Sequence, residues 1–164
     1  MLKITKKFSG KYLDVFLETD KNEKVREKVY LKDSINIFIV DKKENLYLLK
    51  EKRWEKNNKK VVKLVSGLVE NGEKTIEAAK RELKEEVGNL DIKRWKKVFT
   101  YNQKGTINQK RYYYLVFIGA KPKHSKTFLC EYTKEKLNKL ILNGYFGFTT
   151  SGVLIKYMIK LNNE

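Results

Sequence analysis

The sequence contains little of what builds disulfide frameworks and membrane spans. Its 164 residues include one cysteine, Cys130, and one proline, Pro122. A single cysteine excludes an intrachain disulfide and suits a reducing compartment. No apolar run reaches the ~18 residues that a membrane helix needs, and the N-terminus lacks the apolar segment of a secretory signal. We therefore expect a cytoplasmic protein with no membrane partner.

Acidic residues and arginine are scarce beside lysine. The chain carries 37 Lys and Arg residues against 20 Asp and Glu, a net charge of +17, and only five of the cations are arginines. Clustered cations bind phosphate polymers through counterion release, so RNA is a candidate partner. These lysines are spread along the chain and give a diffuse positive field without bidentate phosphate recognition. A coding bias towards Lys and Asn is the favoured interpretation, and an RNA-binding surface is the alternative.

The hydrophobic pattern predicts a β-rich first third, a helix, further strands and two terminal helices. The helix spans 75–87, where apolar residues recur every three or four positions, with Thr75 as its cap and Gly88 closing its end. Residues 53–60 are the most polar stretch and predict an exposed loop.

The order of elements indicates an α+β fold with a mixed sheet. We expect one domain over 1–164, with N-terminal strands in 1–33 and the core in 34–164. Strands are predicted at 12–18, 28–31, 34–40, 46–49, 61–65, 95–101, 111–118 and 128–132, and the later helices after Thr133 and over 151–161.

Three glutamates of the predicted helix carry the most specific chemistry. At ~100° per residue, Glu82, Glu85 and Glu86 share one arc beside the apolar stripe. Like charges at this spacing destabilise an isolated helix by about 0.2–0.5 kcal/mol, so the cluster requires cations. A solvated helix face is the simpler alternative. Mg²⁺ prefers oxygen ligands and binds substrate phosphates as well as one or two carboxylates. The pattern therefore predicts a metal-dependent site for a phosphate compound.

The segment before the helix predicts a tight turn beside a ligand. Gly67 and Gly72 lie in this strand-to-helix connection and permit close backbone approach. Glu73 in the loop and Arg81 in the helix can pair and brace one against the other.

These residues resemble the signature of the Nudix family. That signature is a glycine, five residues, glutamate, seven residues, Arg-Glu, an apolar residue, any residue, Glu-Glu, any residue, glycine and an apolar residue. The sequence matches at every position except the last, where Asn89 replaces an aliphatic residue and Leu90 can substitute. The matching residues are Gly67, Glu73, Arg81, Glu82, Leu83, Glu85, Glu86 and Gly88. The resemblance implies an α/β/α sandwich with a central mixed sheet, a loop-helix-loop and C-terminal helices.

The resemblance also implies roles for particular residues. Divalent metal, Mg²⁺ with Mn²⁺ as substitute, would bind the three helix glutamates and the Ser66 carbonyl, and Glu73–Arg81 would be a structural ion pair. Glu85 or Glu131 would be the general base, with a solvent-facing strand glutamate as the simpler interpretation of Glu131. Arg53 would clamp a diphosphate beside a base-stacking Trp54, unless both are ordinary loop residues.

The substrate stays open between several classes. Residues 66–73 and 48–53 are similar to the branch that hydrolyses ADP-ribose and nucleoside-diphosphate sugars, which often forms homodimers through N-terminal strands. The marker proline or tyrosine some fifteen residues beyond the signature is replaced by Lys104 and Gly105. We expect pyrophosphate hydrolysis in a nucleoside diphosphate linked to another moiety, with ADP-ribose or a nucleotide sugar first. The alternatives are removal of an RNA 5′ cap or triphosphate, and a non-catalytic module that binds nucleotides or RNA.

Overall fold

The computed structural model describes residues 2–53, 59–120, 122, 128–143, 150, 152 and 154. For residues 53, 59, 60, 128–130 and 134 the description covers the backbone and excludes the side chain. Within these ranges ten strands and two complete helices follow one another along the chain. They are β1 (Lys3–Ser9), β2 (Leu13–Thr19), β3 (Val25–Leu31), β4 (Ser34–Val40), β5 (Leu46–Arg53), β6 (Lys59–Lys63), β7 (Val65–Leu68), α1 (Thr75–Glu86), β8 (Ile92–Gln103), β9 (Ile107–Ile118), β10 (Phe128–Tyr132) and α2 (Lys134–Leu142).

The strands form one mixed sheet, which confirms the predicted α+β class. Its main order is β1-β2-β3-β9-β4-β5-β10, with β6 beside β5, β7 beside β4 and β8 beside β9. Strand β9 runs parallel to both β3 and β4, and the other pairs are antiparallel. The N-terminal strands therefore join the rest of the sheet through β3.

Two apolar clusters cover opposite faces of the sheet, as the period of two in β4 requires. Ile35, Ile37 and Ile39 face α1, where they pack with its buried side chains Ala78, Ala79 and Leu83 and with Val87 at its C-cap. Phe38 and Val40 point the other way, into a cluster that includes Leu137 of α2 and Leu154. Helical residues thus lie on both faces, which is the layering of an α/β/α sandwich.

The run of three tyrosines in β9 also alternates between the faces. Tyr113 is buried in the cluster with Phe38, whereas Tyr114 is buried on the α1 side, where the half-buried Tyr112 packs against the same core. Core packing therefore accounts for two rings fully. The Tyr112 hydroxyl donates to Asp33 at 3.2 Å.

Several predicted boundaries were wrong for identifiable reasons. Strand β1 was not predicted, because nearly all of its side chains are exposed and show no buried face. The single strand predicted over 61–65 is two strands, because the chain crosses at Leu64 from pairing with β5 to pairing with β4. Arg53, Lys59 and Lys60 are paired strand residues, so the loop predicted over 53–60 was wrong at both ends.

The helix ends can also be compared with their predicted positions. The N-cap of α1 is Lys74, one residue earlier than predicted, and Thr75 begins the helix instead. Thr133 caps α2 as predicted, accepting from the Lys136 N–H at 3.4 Å. Of the helix predicted over 151–161, Gly152 and Leu154 lie within the described residues, and both are helical. None of the described helices is long and apolar enough to cross a membrane.

Candidate active site

The connection between β7 and α1 is a tight turn that delivers the chain into the helix. Gly72 has a φ of 78°, a left-handed conformation that favours glycine, and the Glu73 N–H donates to the Glu70 carbonyl at 3.1 Å. At the far end of α1, Gly88 has a φ of 93° and closes the helix by donating to the Lys84 carbonyl at 3.0 Å. Leu90 packs against the core beyond it, whereas Asn89 is exposed.

Gly67 leaves room for a carboxylate. A Cβ added at this position would overlap the carboxylate of Glu82, so the side chain of the helix fills the space that glycine leaves in β7. A side chain at position 67 would therefore displace the end of the Glu82 side chain. This overlap explains in steric terms why this position needs a glycine.

Arg81 connects the loop, the strand and the helix through one guanidinium. Its Nε and Nη2 donate to the two carboxylate oxygens of Glu73, both at 3.0 Å. Nη2 also donates to the Leu68 carbonyl at 3.0 Å, and Nη1 donates to Glu82 at 2.8 Å. The Arg81 guanidinium lowers the pKa of Glu73 below its ordinary value. Planar bidentate pairing of this kind holds both partners in one orientation.

Glu86 is held from the opposite direction by a lysine. The Lys63 Nζ donates to Glu86 Oε1 at 2.9 Å and lies 3.3 Å from a carboxylate oxygen of Glu51. Burial raises the pKa of Glu86 above its ordinary value, against the lowering effects of Lys63 and of a backbone hydrogen bond from Ser66. Ionised Glu86 therefore depends on a nearby positive charge.

The three helix glutamates do not converge on one point in this structure. Glu85 is 59% exposed, while the Glu82 and Glu86 carboxylates lie against Arg81 and Lys63 respectively. Across the described part of the chain, no group of three or more His, Cys, Asp or Glu side chains is arranged to hold an ion. The donors nevertheless fit a hard cation, because they are carboxylate oxygens beside the Ser66 backbone. Binding one ion through several of them requires side-chain rearrangement.

A shallow depression adjoins the start of the turn. It has a volume of about 240 Å³, and its lining includes Ser66, Gly67, Asn36 and Arg111. Ser66 lies in β7 opposite Asn36 of β4, so its backbone is at the rim. This depression is a candidate place for part of a polar substrate.

The remaining predicted residues lie farther away or outside the described side chains. Glu131 lies in β10 opposite Tyr47, which places it about 13 Å along β5 from Glu51 at the usual rise per residue. Its role as general base stays a prediction. Arg53 ends β5, but its side chain lies outside the described residues, as does all of Trp54.

Lys63 and Glu51 are the residues that the sequence interpretation missed. A charged residue in the apolar run 61–65 was the available signal for Lys63. Its contact with Glu86 depends on the registers of β6 and α1 against the sheet, which spacing within a single motif does not reveal.

Comparison with known proteins adds two findings. A family model described as the NUDIX domain matches residues 31–136. Among solved structures, one described as "Crystal structure of ADP compounds hydrolase" is similar with a TM-score of 0.66 at 15% sequence identity, covering 98% of this chain and 95% of that chain. At this identity the likeness shows the fold alone. No curated protein matches the sequence.

Proposed function

Since this chain belongs to the Nudix family of pyrophosphohydrolases, we propose that it hydrolyses the pyrophosphate bond of a nucleoside diphosphate linked to a second moiety, with Mg²⁺ as cofactor. ADP-ribose or a nucleotide sugar is the substrate class that we put first. The similar solved structure is described as an ADP compounds hydrolase, which supports this order. We further propose that Mn²⁺ can replace Mg²⁺.

The observation that carries the proposal is the ordered set of acidic side chains along α1. Arg81 fixes Glu82 beside Gly67, and Lys63 directs Glu86 towards the Ser66 backbone. Burial still raises the pKa of Glu86 despite Lys63, so a further cation would stabilise its ionised form. The family signature supplies the reason for them.

We assign the metal to Glu82, Glu85, Glu86 and the Ser66 carbonyl. A divalent ion bound there supplies neutralisation of phosphate charge and a water of lowered pKa. In the hydrolysis itself, a water oxygen attacks one phosphorus, and the bond from that phosphorus to the bridging oxygen breaks. Two phosphomonoesters leave, and Glu85 or Glu131 accepts the proton of the water.

The rest of the chain has supporting roles in this proposal. Glu73 and Arg81 hold the loop against the helix, and Gly67, Gly72 and Gly88 provide its turns. Arg53 and Trp54 would contact the substrate diphosphate and base. We retain a single cytoplasmic domain over 1–164 as part of the proposal.

A homodimer through the N-terminal strands is proposed from their surface. Ile4, Phe8 and Val25 of β1–β3 are each more than half exposed, and such apolar surface is typical of contact sites. The molecular mass in solution tests this part separately.

An RNA 5′ end is the second candidate substrate, and the net charge of +17 favours it. A polyanion would gain affinity from lysines anywhere near the site, and its binding would weaken steeply with salt. A module that binds nucleotides or RNA without cutting them is a third outcome that the same experiment separates.

The test is a substrate panel with Mg²⁺ or Mn²⁺, comparing wild type with Glu86→Gln. The panel contains ADP-ribose, a nucleotide sugar, capped RNA and 5′-triphosphorylated RNA, and chromatography identifies the products. We expect turnover of a nucleoside diphosphate compound that Glu86→Gln reduces at least about 1,000-fold, because a ligand carboxylate is lost. Circular dichroism should show an unchanged fold. Glu77→Gln, on the same helix but exposed, is the matched control.

Full activity of Glu86→Gln would contradict the site assignment. Ligand binding without product under saturating metal would instead select the non-catalytic module. Turnover confined to the RNA substrates would select the second candidate.

A further inference from the structure

Lys63 places its ammonium beside the Glu86 carboxylate at the end of α1. Its Nζ contacts Glu86 at 2.9 Å and Glu51 at 3.3 Å, so one ammonium joins the end of α1 to strand β5. Lys63 lies opposite Leu49 in the β5–β6 pair, and Glu51 is two residues farther along β5. All three side chains are between 20% and 29% exposed, so solvent screens their charges only in part.

The chemistry of lysine makes this contact reversible. An ammonium is a compact charge on a flexible stem, and it forms no planar fork with a carboxylate. If Lys63 leaves Glu86, its charge stays satisfied because Glu51 is already within ion-pair distance. Glu51 therefore provides an alternative position for the lysine near the candidate metal ligands.

We propose that Lys63 is a resident counter-cation of the metal centre, which holds Glu86 in place and is displaced towards Glu51 when a divalent ion binds. The inference rests on the proposed metal site at Glu82, Glu85 and Glu86. It makes Lys63 a positioning residue that does not itself contact the substrate. The affinity for metal is then the outcome of a competition between an ammonium and a divalent ion for the same carboxylate.

The competition has a consequence that can be measured without turnover. Removing the lysine charge takes away one competitor for Glu86 and a repulsive charge beside it. We expect Lys63→Met, which keeps an unbranched apolar stem, to bind Mn²⁺ about tenfold more tightly than wild type. Lys63→Arg, which retains the charge and can form a planar fork with Glu86, should bind no more tightly than wild type.

Isothermal titration of the chelator-treated protein with Mn²⁺, and separately with Mg²⁺, gives both affinity and stoichiometry. Lys84→Met is the matched control, because it removes the same charge from an exposed position on α1. We expect this control to change the affinity less than twofold, which separates a local contact from net charge. Circular dichroism of each variant shows whether it folds, and Lys63→Gln is the substitute if Lys63→Met does not.

The outcomes separate the two proposals. Tighter binding by Lys63→Met, without tighter binding by Lys63→Arg, supports the competition. Unchanged or weaker binding by Lys63→Met, while wild type binds the ion, overturns the role of Lys63 and leaves the metal site intact. If wild type binds neither Mn²⁺ nor Mg²⁺, the proposed function and this inference both fail.

Discussion

Arg81 and Lys63 both pair with carboxylates of the loop-helix segment, but they do so in different ways. Arg81 has three hydrogen bonds at 3.0 Å to Glu73 and the Leu68 carbonyl, in addition to its contact with Glu82. Lys63 has two ion pairs that share one ammonium. The first arrangement resists rotation of every partner, whereas the second can exchange one partner for the other.

The pKa values of the two carboxylates depart from the ordinary value in opposite directions. The pKa of Glu73 is lowered by Arg81, while that of Glu86 is raised by burial despite the neighbouring Lys63. A carboxylate that is strongly stabilised when ionised suits a structural role. One that is still costly when ionised is suited to accept a further cation. On this basis Glu73 suits the structural role and Glu86 suits the proposed metal.

Within this comparison, the largest expected loss of activity follows from a substitution at Gly67, beside the carboxylate that Arg81 holds. A Cβ there would overlap the Glu82 carboxylate, so Gly67→Ala must displace Glu82 or shift α1. We expect turnover to fall about 100-fold, because a misplacement of about 1 Å in a catalytic group has this size of effect. Steady-state kinetics with saturating Mg²⁺ measures it.

Gly152→Ala is the matched control for this substitution. Among the residues that the structure describes, none lies within 4 Å of a Cβ added at Gly152, so the activity of Gly152→Ala should equal that of wild type. Equal activity of Gly67→Ala would show that Glu82 is free to move and that the two cations do not differ as described.

The residues of the site that lie at fixed spacings along the sequence could be predicted from it. The glutamates, Arg81 and the glycines lie on one local motif, β4 is a mostly apolar strand, and α1 has apolar residues at helical spacing. The long-range contacts could not be predicted in this way. Lys63 meets Glu86 across 23 residues, and the Thr75 and Tyr114 hydroxyls meet at 2.6 Å across 39 residues.

The reason is that long-range contacts depend on strand register. A shift of one residue in the β5–β6 pair would turn Lys63 to the other face of the sheet, and no turn signal in the polar segment 53–60 fixes that pairing. Strand β1 escaped prediction for a related reason, because its side chains are exposed on both faces. The chemistry of the local motif could therefore be predicted from the sequence, whereas the tertiary contacts could not.

Reciprocal substitutions of the two cations should give the next largest effect. Arg81→Lys keeps the charge but loses the fork to Glu73 and the contact with Leu68. We expect it to lower the free energy of unfolding by about 2 kcal/mol, since hydrogen bonds to charged groups contribute about 1.5–3 kcal/mol. Lys63→Arg should change it by less than about 0.5 kcal/mol, because it keeps the charge that pairs with Glu51 and Glu86.

Urea unfolding of both variants in chelator measures this difference. A similar loss in the two variants would show that Lys63 is as fixed as Arg81, which contradicts the comparison.

The smallest expected effect is on the pH dependence of stability, which should differ between Glu73 and Glu86. The lowered pKa of Glu73 means that its contribution to stability is present above the unfolded value of about 4.5 and is lost as the pH falls through the folded value. Glu73→Gln should therefore be less stable than wild type at pH 7, by about 1 kcal/mol, with the gap closing below pH ~4.

Glu86 should affect the pH dependence of stability in the opposite direction. Its raised pKa gives stability that is present below the unfolded value and is lost as the pH rises. In chelator, Glu86→Gln should consequently be at least as stable as wild type at pH 7, and this advantage should shrink in acid. Denaturation curves from pH 3 to 8 at constant ionic strength separate the two slopes. Slopes of the same sign would mean that both carboxylates are structural and that the division between bracing and metal binding does not hold.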